Sequence, residues 1–284
     1  MEVLNLSNAI ERIKPTIVQI SFVATGLASE FQAKIKNSFF NHVLGTGFFI
    51  NSEGYVLTAR HVIEGGKKIA KAIPAINKRI LVGLAIPNAK NMRGNFVFID
   101  FDLVDEDVRH DMVLLKLRKN PFKGEIRSGF VIKGKELPLL YDVPIMNLNR
   151  PRDGTSLGIS GYPLKETVLV TNSGGLATCW GTDIKEVHIS GAPPTFTIPD
   201  ISDVYLADIE VNPGDSGAPV YEIENATIIG LCVASKLAPV RDQNGDNIIV
   251  NEKQYLYSSG LTIVIPTPYI SEFLKKNQIE CKFS

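Results

Sequence analysis

Residues 212–220 read NPGDSGAPV, that is, Asn212-Pro213-Gly214-Asp215-Ser216-Gly217-Ala218-Pro219-Val220. A serine stands here between an acid and a glycine, just ahead of a segment with the composition of a strand. Ser216 is therefore either a nucleophile or a residue of a tight turn between two strands. A serine hydroxyl is a weak nucleophile and needs a base within hydrogen-bonding reach. The choice between the two interpretations depends on the rest of the chain.

Four histidines are candidates for that base: His42, His61, His110 and His188. His61 lies in YVLTARHVI, where a predicted strand ends and the next segment begins, so its ring can face a cleft. His42 precedes a strand in a loop, and His188 lies in a polar stretch. For these two, a surface or packing role is the simpler interpretation.

The base in turn needs a carboxylate that holds its tautomer and stabilises the imidazolium. Asp111 opens the apolar segment DMVLLKL, which is an unusual place for an acid. Its neighbour His110 is a rival base. Adjacent strand residues point to opposite faces of a sheet, so His110 faces away from the cleft if Asp111 faces it.

The serine segment also offers donors for an oxyanion, which backbone N–H groups stabilise best when they are already aimed at it. Gly214 and Ser216 can both turn their N–H groups inward, because glycine tolerates the backbone angles that this requires. Pro213 stiffens the approach to the loop.

The sequence around these residues has the pattern of many short strands. Turn signals separate segments rich in β-branched and aromatic residues, and this spacing predicts a β-sandwich or barrel. Helix signals occur mainly near the two ends of the chain. The stretch around 133–155 is the best place to divide the chain into two β units. Predicted strands in the first unit are TIVQISFV (16–23), GTGFFI (45–50), YVLTA (55–59), RILVGLAI (79–86), FVFIDFDLV (96–104) and DMVLLKL (111–117).

The amino-acid composition of the chain argues against some classes of function. Of 284 residues, 44% are hydrophobic and 21% charged, and 30 basic residues balance 30 acidic ones. This balance argues against a nucleic-acid or membrane-surface binder.

Cys179, Cys232 and Cys281 have neither zinc-ligand nor disulfide-framework spacing. The chain lacks a signal peptide and an apolar membrane span, so a cytoplasmic location is expected unless a leader was removed.

Four motifs, GTGFFI, LTARHV, HDMVLLKL and NPGDSGAPV, occur in the order His, Asp, Ser. They resemble the chymotrypsin-fold, trypsin-like serine proteases, which have this order. The Deg/HtrA branch is the closer likeness. The chain shares with it ERIKPTIVQI near the start, GYP followed by VT, NPG before the serine, and an IP segment before a closing helix. The resemblance covers almost the whole chain.

This resemblance implies an all-β fold of two six-stranded antiparallel β-barrels with short terminal helices. Residues 1–140 would form the N-terminal barrel that carries His61 and Asp111. Residues 141–284 would form the C-terminal barrel with Ser216 and the closing helix, and the active site would lie in the cleft between the two barrels.

The resemblance also implies a serine endopeptidase that hydrolyses polypeptide substrates through an acyl-enzyme. His61 would be the general base, Asp111 the orienting carboxylate and Ser216 the nucleophile. The backbone N–H groups of Gly214 and Ser216 would form the oxyanion hole. This chemistry requires no cofactor and no metal.

The chain departs from its relatives in three respects. Asp215 precedes the serine as in trypsins, whereas the Deg/HtrA branch usually has asparagine there. In trypsins this acid pairs with an N-terminus made by cleavage, and no matching cleavage sequence occurs here, so we expect another partner for Asp215. The chain ends soon after the closing helix, so no PDZ domain is expected. Trimers are common in this branch, and a homo-oligomer is left open.

Specificity depends on the residues around the primary pocket. In trypsin-like folds the residue six positions before the serine lies at the pocket floor, and here it is Glu210. An acid there would favour a basic substrate side chain, unless it points away or is neutralised by a neighbour. The segment Val233-Ala234-Ser235 should form the edge strand that pairs with the substrate backbone.

The sequence leaves two other functions open. One is a latent protease that an activating partner protein switches on. The other is a non-catalytic protease-fold protein, with its oxyanion loop collapsed, that acts as a peptide-binding module.

Overall fold

The computed structural model describes residues 3–36, 39–85, 96–123, 143–166, 168–184, 187–188, 197–198, 201–250 and 253–284. The described chain is mostly β-structure. Its two large sheets lie within residues 17–117 and 145–266. The predicted domain boundary between residues 140 and 141 lies outside the described residues.

The first sheet has seven antiparallel strands. They are β1 (Ile17–Leu27), β2 (Phe39–Phe49), β3 (Tyr55–Ala59), β4 (Ala75–Ala85), β5 (Phe96–Ile99), β6 (Phe101–Asp107) and β7 (Met112–Leu117). Their order across the sheet is β5-β4-β1-β2-β3-β7-β6.

The two end strands of this sheet are consecutive in the chain. The segment 96–104, which the sequence predicts as one strand, is divided at Asp100 into β5, paired with β4, and β6, paired with β7. Arg118 N donates to the Asp100 carbonyl at the bend. The sheet is therefore curled, and it has one strand more than the six expected.

The second sheet has seven strands, of which six form a closed antiparallel barrel. The strand order is β14-β9-β10-β13-β18-β15, and pairing of β14 with β15 closes the ring. The short β8 is added parallel to β15. The strands are β8 (Ile145–Met146), β9 (Ser156–Gly161), β10 (Val170–Ile184), β13 (Ile201–Asp208), β14 (Pro219–Glu222), β15 (Thr227–Pro239) and β18 (Leu256–Pro266).

Two short two-stranded pairs, four α-helices and three short 3-10 helices (Lys14–Thr16, Pro121–Lys123 and Pro163–Lys165) complete the described fold. The pairs are β11 (Val187–His188) with β12 (Thr197–Ile198) and β16 (Ile249–Val250) with β17 (Lys253–Gln254). The helices are α1 (Leu6–Ile13), α2 (Ser29–Ile35), α3 (Arg60–Ala72) and α4 (Thr267–Lys276). The predicted terminal helices correspond to α1 and α4. None of the helices in the described ranges is long and apolar enough to span a membrane.

Both sheets bury apolar side chains, as the alternation of apolar residues predicts, and the main core cluster contains residues of both. Ile20, Phe48 and Leu114 are fully buried in the first half, and Leu157 and Val220 in the second. The mainly β fold class expected from the sequence is thus confirmed, with one closed six-stranded barrel and one curled seven-stranded sheet in place of two six-stranded barrels.

Both ends of the chain reach across to the opposite half. Leu4 N donates to the Glu224 carbonyl of the second half. At the end of α4, Lys276 Nζ and Asn277 Nδ2 donate to Asp105 Oδ2 of β6 at 2.8 and 3.0 Å. These contacts help to fix the two halves, and hence the residues at their junction, relative to each other.

Candidate active site

His61 and Asp111 are in direct contact. β3 ends at Ala59 and α3 begins at Arg60, which places His61 in the first turn of the helix. Its Nδ1 lies 2.5 Å from Asp111 Oδ2, and its backbone N–H donates to Asp111 Oδ1 at 2.9 Å. Both side chains are buried, at 8% and 3% exposure. The two carboxylate oxygens thus fix both the ring and the backbone of His61.

A turn, and not a strand, positions Asp111. β7 begins only at Met112, and Asp111 has φ +52°, a left-handed conformation uncommon for an aspartate. Its carbonyl accepts a hydrogen bond from Arg60 N at 2.8 Å. The turn before β7 is therefore tied to the start of α3.

The rival base His110 is directed elsewhere. Its Nδ1 lies 2.7 Å from Asp107 Oδ2, and its ring stacks on Tyr269 of α4 with centroids 4.2 Å apart. His110 and Asp111 thus point in different directions, as expected. The reason is not strand alternation, because both residues precede β7.

The two other histidines are not brought to this site by any described contact. His42 stacks on Phe40 within β2 at 6.1 Å between centroids. The side chain of His188 lies outside the described part of the chain.

The serine loop packs against the segment that leads into His61. A methyl group on Gly217 would lie 3.0 Å from Ala59 N and 2.3 Å from Thr58 Oγ1. On the adjacent strand, a methyl group on Gly45 would lie 2.9 Å from the Ser216 carbonyl oxygen. Glycine is needed at both positions because the two halves of the molecule touch there. The structure thus brings the Ser216 loop to the His61 side of the junction.

Ser216 is itself largely buried, at 9% exposure. Its hydroxyl donates to the Val233 carbonyl of β15 at 3.0 Å. Because a hydroxyl has a single proton, it does not donate to His61 while this bond is made.

The backbone N–H groups of the serine loop divide into two sets. Those of Asp215, Gly217 and Ala218 donate to the carbonyls of Asn212, Cys232 and Asp215, respectively. Within the described residues, the N–H groups of Gly214 and Ser216 donate to no acceptor of the chain. Gly214 has φ +111°, and a methyl group there would lie 2.2 Å from the Tyr162 carbonyl oxygen, so only glycine fits. The two N–H groups expected to bind an oxyanion are therefore available.

Asp215 is buried directly behind the serine, at 3% exposure. Its Oδ2 accepts a hydrogen bond from Asn212 N at 2.9 Å, which is the alternative partner expected from the sequence. No lysine, arginine or histidine of the described ranges forms an ion pair with it. Burial raises the pKa of the Asp215 carboxyl to about 6, although the hydrogen bond from Asn212 acts in the opposite direction.

A pocket opens beside Ser216. It is small: only about 10 Å³ of its space admits a water-sized group, and the 260 Å³ around it includes open solvent. None of its lining residues in the described chain is charged; they are Val211, Asn212, Pro213, Ser216, Cys232, Ala234 and Ser235. Of the predicted specificity residues, the structure brings Ala234 and Ser235 to the pocket. Val233 is fully buried and contributes its carbonyl to the Ser216 hydroxyl.

Glu210 does not line this pocket. It follows β13, lies between the buried Ile209 and Val211, and is exposed. Because buried and exposed residues alternate here, its side chain points outward. Its backbone carbonyl accepts a hydrogen bond from Asn172 Nδ2 at 2.9 Å. The structure thus gives no support to a charged pocket floor.

Sequence reasoning missed Thr46, which contacts the serine loop. Its N–H donates to the Ser216 carbonyl at 2.9 Å and its hydroxyl to the Gly214 carbonyl at 2.7 Å. The available signal was the pair of glycines around it in Gly45-Thr46-Gly47, since small neighbours mark a close approach of backbones.

Comparisons with known proteins show which family and fold the chain is similar to. A family model described as trypsin-like peptidase domain matches residues 45–231, well over half of the chain. A protein of Marinomonas sp. (strain MWYL1) named probable periplasmic serine endoprotease DegP-like is 24% identical over 252 residues, which cover 79% of this chain. The chain spans less than half of that relative, 43% of its length.

Two solved structures have a similar fold. The structure of Deg5 has a TM-score of 0.54 and 18% identity, with coverage of 94% of this chain and 90% of that one. The HtrA-type protease AlgW, determined with a decapeptide, has a TM-score of 0.58 and 18% identity, with coverage of 97% of this chain and 68% of that one.

Proposed function

Because the chain belongs to the trypsin-like peptidase family, we propose that it is a serine endopeptidase with Ser216 as nucleophile, His61 as general base and Asp111 as orienting carboxylate. The observation that carries the proposal is the buried pair of His61 Nδ1 and Asp111 Oδ2 at 2.5 Å, next to the serine loop. Asp111 holds the ring with Nε2 on the side opposite to the carboxylate, which is the nitrogen that a base uses on serine.

In the proposed reaction, Ser216 Oγ attacks the carbonyl carbon of the substrate while His61 Nε2 takes the hydroxyl proton. The N–H groups of Gly214 and Ser216 stabilise the tetrahedral oxyanion. When the intermediate collapses, the C–N bond breaks, His61 gives its proton to the leaving amine and the acyl group stays on Ser216. Water, deprotonated by His61, then attacks the ester and releases the serine.

A polypeptide substrate is supported by the open edge of β15. At Ala234 and Ser235 this strand pairs with β18 on one side. Pairing with β14 on the other side ends at Leu231, and no strand of the described residues continues this ladder, although β11 lies close to β15. An extended peptide can add to such an edge through main-chain hydrogen bonds. The HtrA-type protease AlgW, similar in fold, was determined with a decapeptide.

The pocket favours a small, uncharged substrate side chain. Ala234, Ser235 and Cys232 leave room beside Ser216 without supplying a charge. A buried ammonium or guanidinium group would lose its hydration there and find no charged partner among the lining residues.

A latent peptidase is the second candidate function. It is favoured by the hydrogen bond from the Ser216 hydroxyl to the Val233 carbonyl, since a rotation about the serine Cα–Cβ bond must precede proton transfer to His61. In this alternative, binding of a partner or of the substrate provides the rotation.

Labelling with a fluorophosphonate probe tests the proposal. The wild-type protein is compared with Ser216→Ala and His61→Ala, each checked for folding by circular dichroism. We expect rapid labelling of the wild type and none of Ser216→Ala, with a loss of several orders of magnitude for His61→Ala. Labelling that develops only when an unfolded polypeptide is added supports the latent form. A folded wild type that stays unlabelled in both conditions refutes the proposal.

A further inference from the structure

One residue of the first sheet holds the serine loop of the second. Thr46 lies in β2 and is completely buried. Its N–H donates to the Ser216 carbonyl at 2.9 Å. Its hydroxyl donates to the Gly214 carbonyl at 2.7 Å and accepts from Tyr162 N at 3.0 Å. Three hydrogen bonds from a single residue thus cross the junction between the two halves.

The hydroxyl is the part of Thr46 that a similar side chain cannot replace. It offers one donor and accepts on its lone pairs, and both functions are used here. Valine has nearly the same shape, but it would leave the Gly214 carbonyl and the Tyr162 N–H without this partner. Serine would keep the hydroxyl and lose only a methyl group.

These bonds fix the peptide plane that carries the Gly214 N–H. The chain has no cis peptide bond in its described part, so the Gly214 N–H points opposite to the Pro213 carbonyl. That carbonyl accepts a hydrogen bond from Leu164 N at 2.6 Å. The Thr46 hydroxyl therefore acts on both sides of the Gly214 N–H. It holds the following peptide plane directly, through the Gly214 carbonyl, and it acts on the plane of the N–H through Tyr162, two residues before Leu164.

We propose that the Thr46 hydroxyl is a positioning group, which holds the serine loop in the shape that directs the Gly214 N–H toward an oxyanion. The inference rests on the proposed peptidase function, since an oxyanion forms only if Ser216 attacks a carbonyl. Thr46 does not touch the reacting atoms and acts through Gly214 and Ser216.

Three variants separate this role from a general loss of stability. Thr46→Val removes the hydroxyl and Thr46→Ser retains it. Thr16→Val is the matched control, because Thr16 is also buried and its hydroxyl donates to the Ile13 carbonyl at 2.7 Å, away from the site. Thr46→Ala replaces Thr46→Val if the latter does not fold.

Two readouts are taken on each folded variant: kcat and KM for a peptide substrate, and amide hydrogen exchange of residues 212–218. For Thr46→Val we expect kcat to fall about tenfold to a hundredfold, since displacement of an oxyanion donor or of reacting atoms costs on this order. KM should stay within about threefold, because the loss is confined to the transition state. Exchange in the loop should accelerate at least about tenfold. Thr46→Ser and Thr16→Val should match the wild type.

Failure of this inference is distinguishable from failure of the proposed function. If the folded wild type has no activity, the peptidase proposal fails, and the exchange data still decide whether Thr46 holds the loop. If the wild type is active and Thr46→Val matches Thr16→Val in kcat, the inference is overturned. It is also overturned if Thr46→Ser loses as much kcat as Thr46→Val, since the hydroxyl is then not the group responsible.

Discussion

Replacement of Asp215 by asparagine should stabilise the protein at neutral pH. The carboxyl is buried behind the serine loop, and the bond that it makes, from Asn212 N to Oδ2, needs only an acceptor oxygen. An asparagine side chain supplies that oxygen without a charge. Burial disfavours the ionised form and raises the pKa of Asp215 from 3.8 to about 6.

The magnitude follows from this pKa difference between the unfolded and the folded protein. The folded protein binds the proton more tightly than the unfolded chain, so the cost of ionising Asp215 is absent below about pH 4. It grows as the pH rises from 4 to 6 and is constant above 6. This rise in the pKa of Asp215, from 3.8 to about 6, corresponds to a free energy of about 3 kcal/mol. Asp215→Asn should therefore raise the free energy of unfolding by up to about 3 kcal/mol at pH 7 and by close to zero at pH 3.5.

Urea denaturation of both proteins at pH values from 3.5 to 8 measures this difference directly. The comparison isolates Asp215, because the other titrating groups contribute equally to both curves. A buried, ionised Asp215 is not destabilising if Asp215→Asn is less stable than the wild type at pH 7, or if the difference in stability does not change between pH 4 and 6.

Three other predictions test the site. Gly214→Ala should abolish labelling of Ser216, because the added methyl group would lie 2.2 Å from the Tyr162 carbonyl oxygen. The control Gly154→Ala is also at positive φ but has no atom within 4 Å, so it should cost only about 1 kcal/mol of stability and no activity. Equal labelling of the two variants would contradict this. Asp111→Asn should lower kcat by about ten-thousand-fold, as measured with a peptide substrate, and a loss below tenfold would remove Asp111 from its role. Peptides with a small neutral side chain before the scissile bond should be cut at least about tenfold faster than those with lysine or arginine, and Glu210→Gln should not alter this ratio; a basic preference that disappears in Glu210→Gln would restore Glu210 to the pocket.

Much of the fold follows from patterns that the sequence displays. Alternating apolar residues and turn signals predict strands such as YVLTA, observed as β3 from Tyr55 to Ala59. The segment 96–104 differs because Asp100 interrupts it, and its two parts pair with different strands. A bend of this kind depends on tertiary pairing, which local composition does not report.

Some features of the candidate site can also be predicted from the sequence, and others cannot. His61, Asp111 and Ser216 are marked by their chemistry and by motifs in order along the chain. The left-handed conformation of Asp111 and the outward side chain of Glu210 depend on turn geometry and strand register. Thr46 lies 170 residues before Ser216, so its contact with the loop exists only after the two halves have packed.

Hydrolysis of unfolded casein tests whether the chain is a serine endopeptidase. Purified wild type and Ser216→Ala are incubated with casein without any added protein, and cleavage is followed by gel electrophoresis and by mass spectrometry of the products. The proposed peptidase function predicts internal cleavage by the wild type and none by Ser216→Ala. Intact casein with folded wild-type protein, or equal cleavage by both proteins, would contradict it.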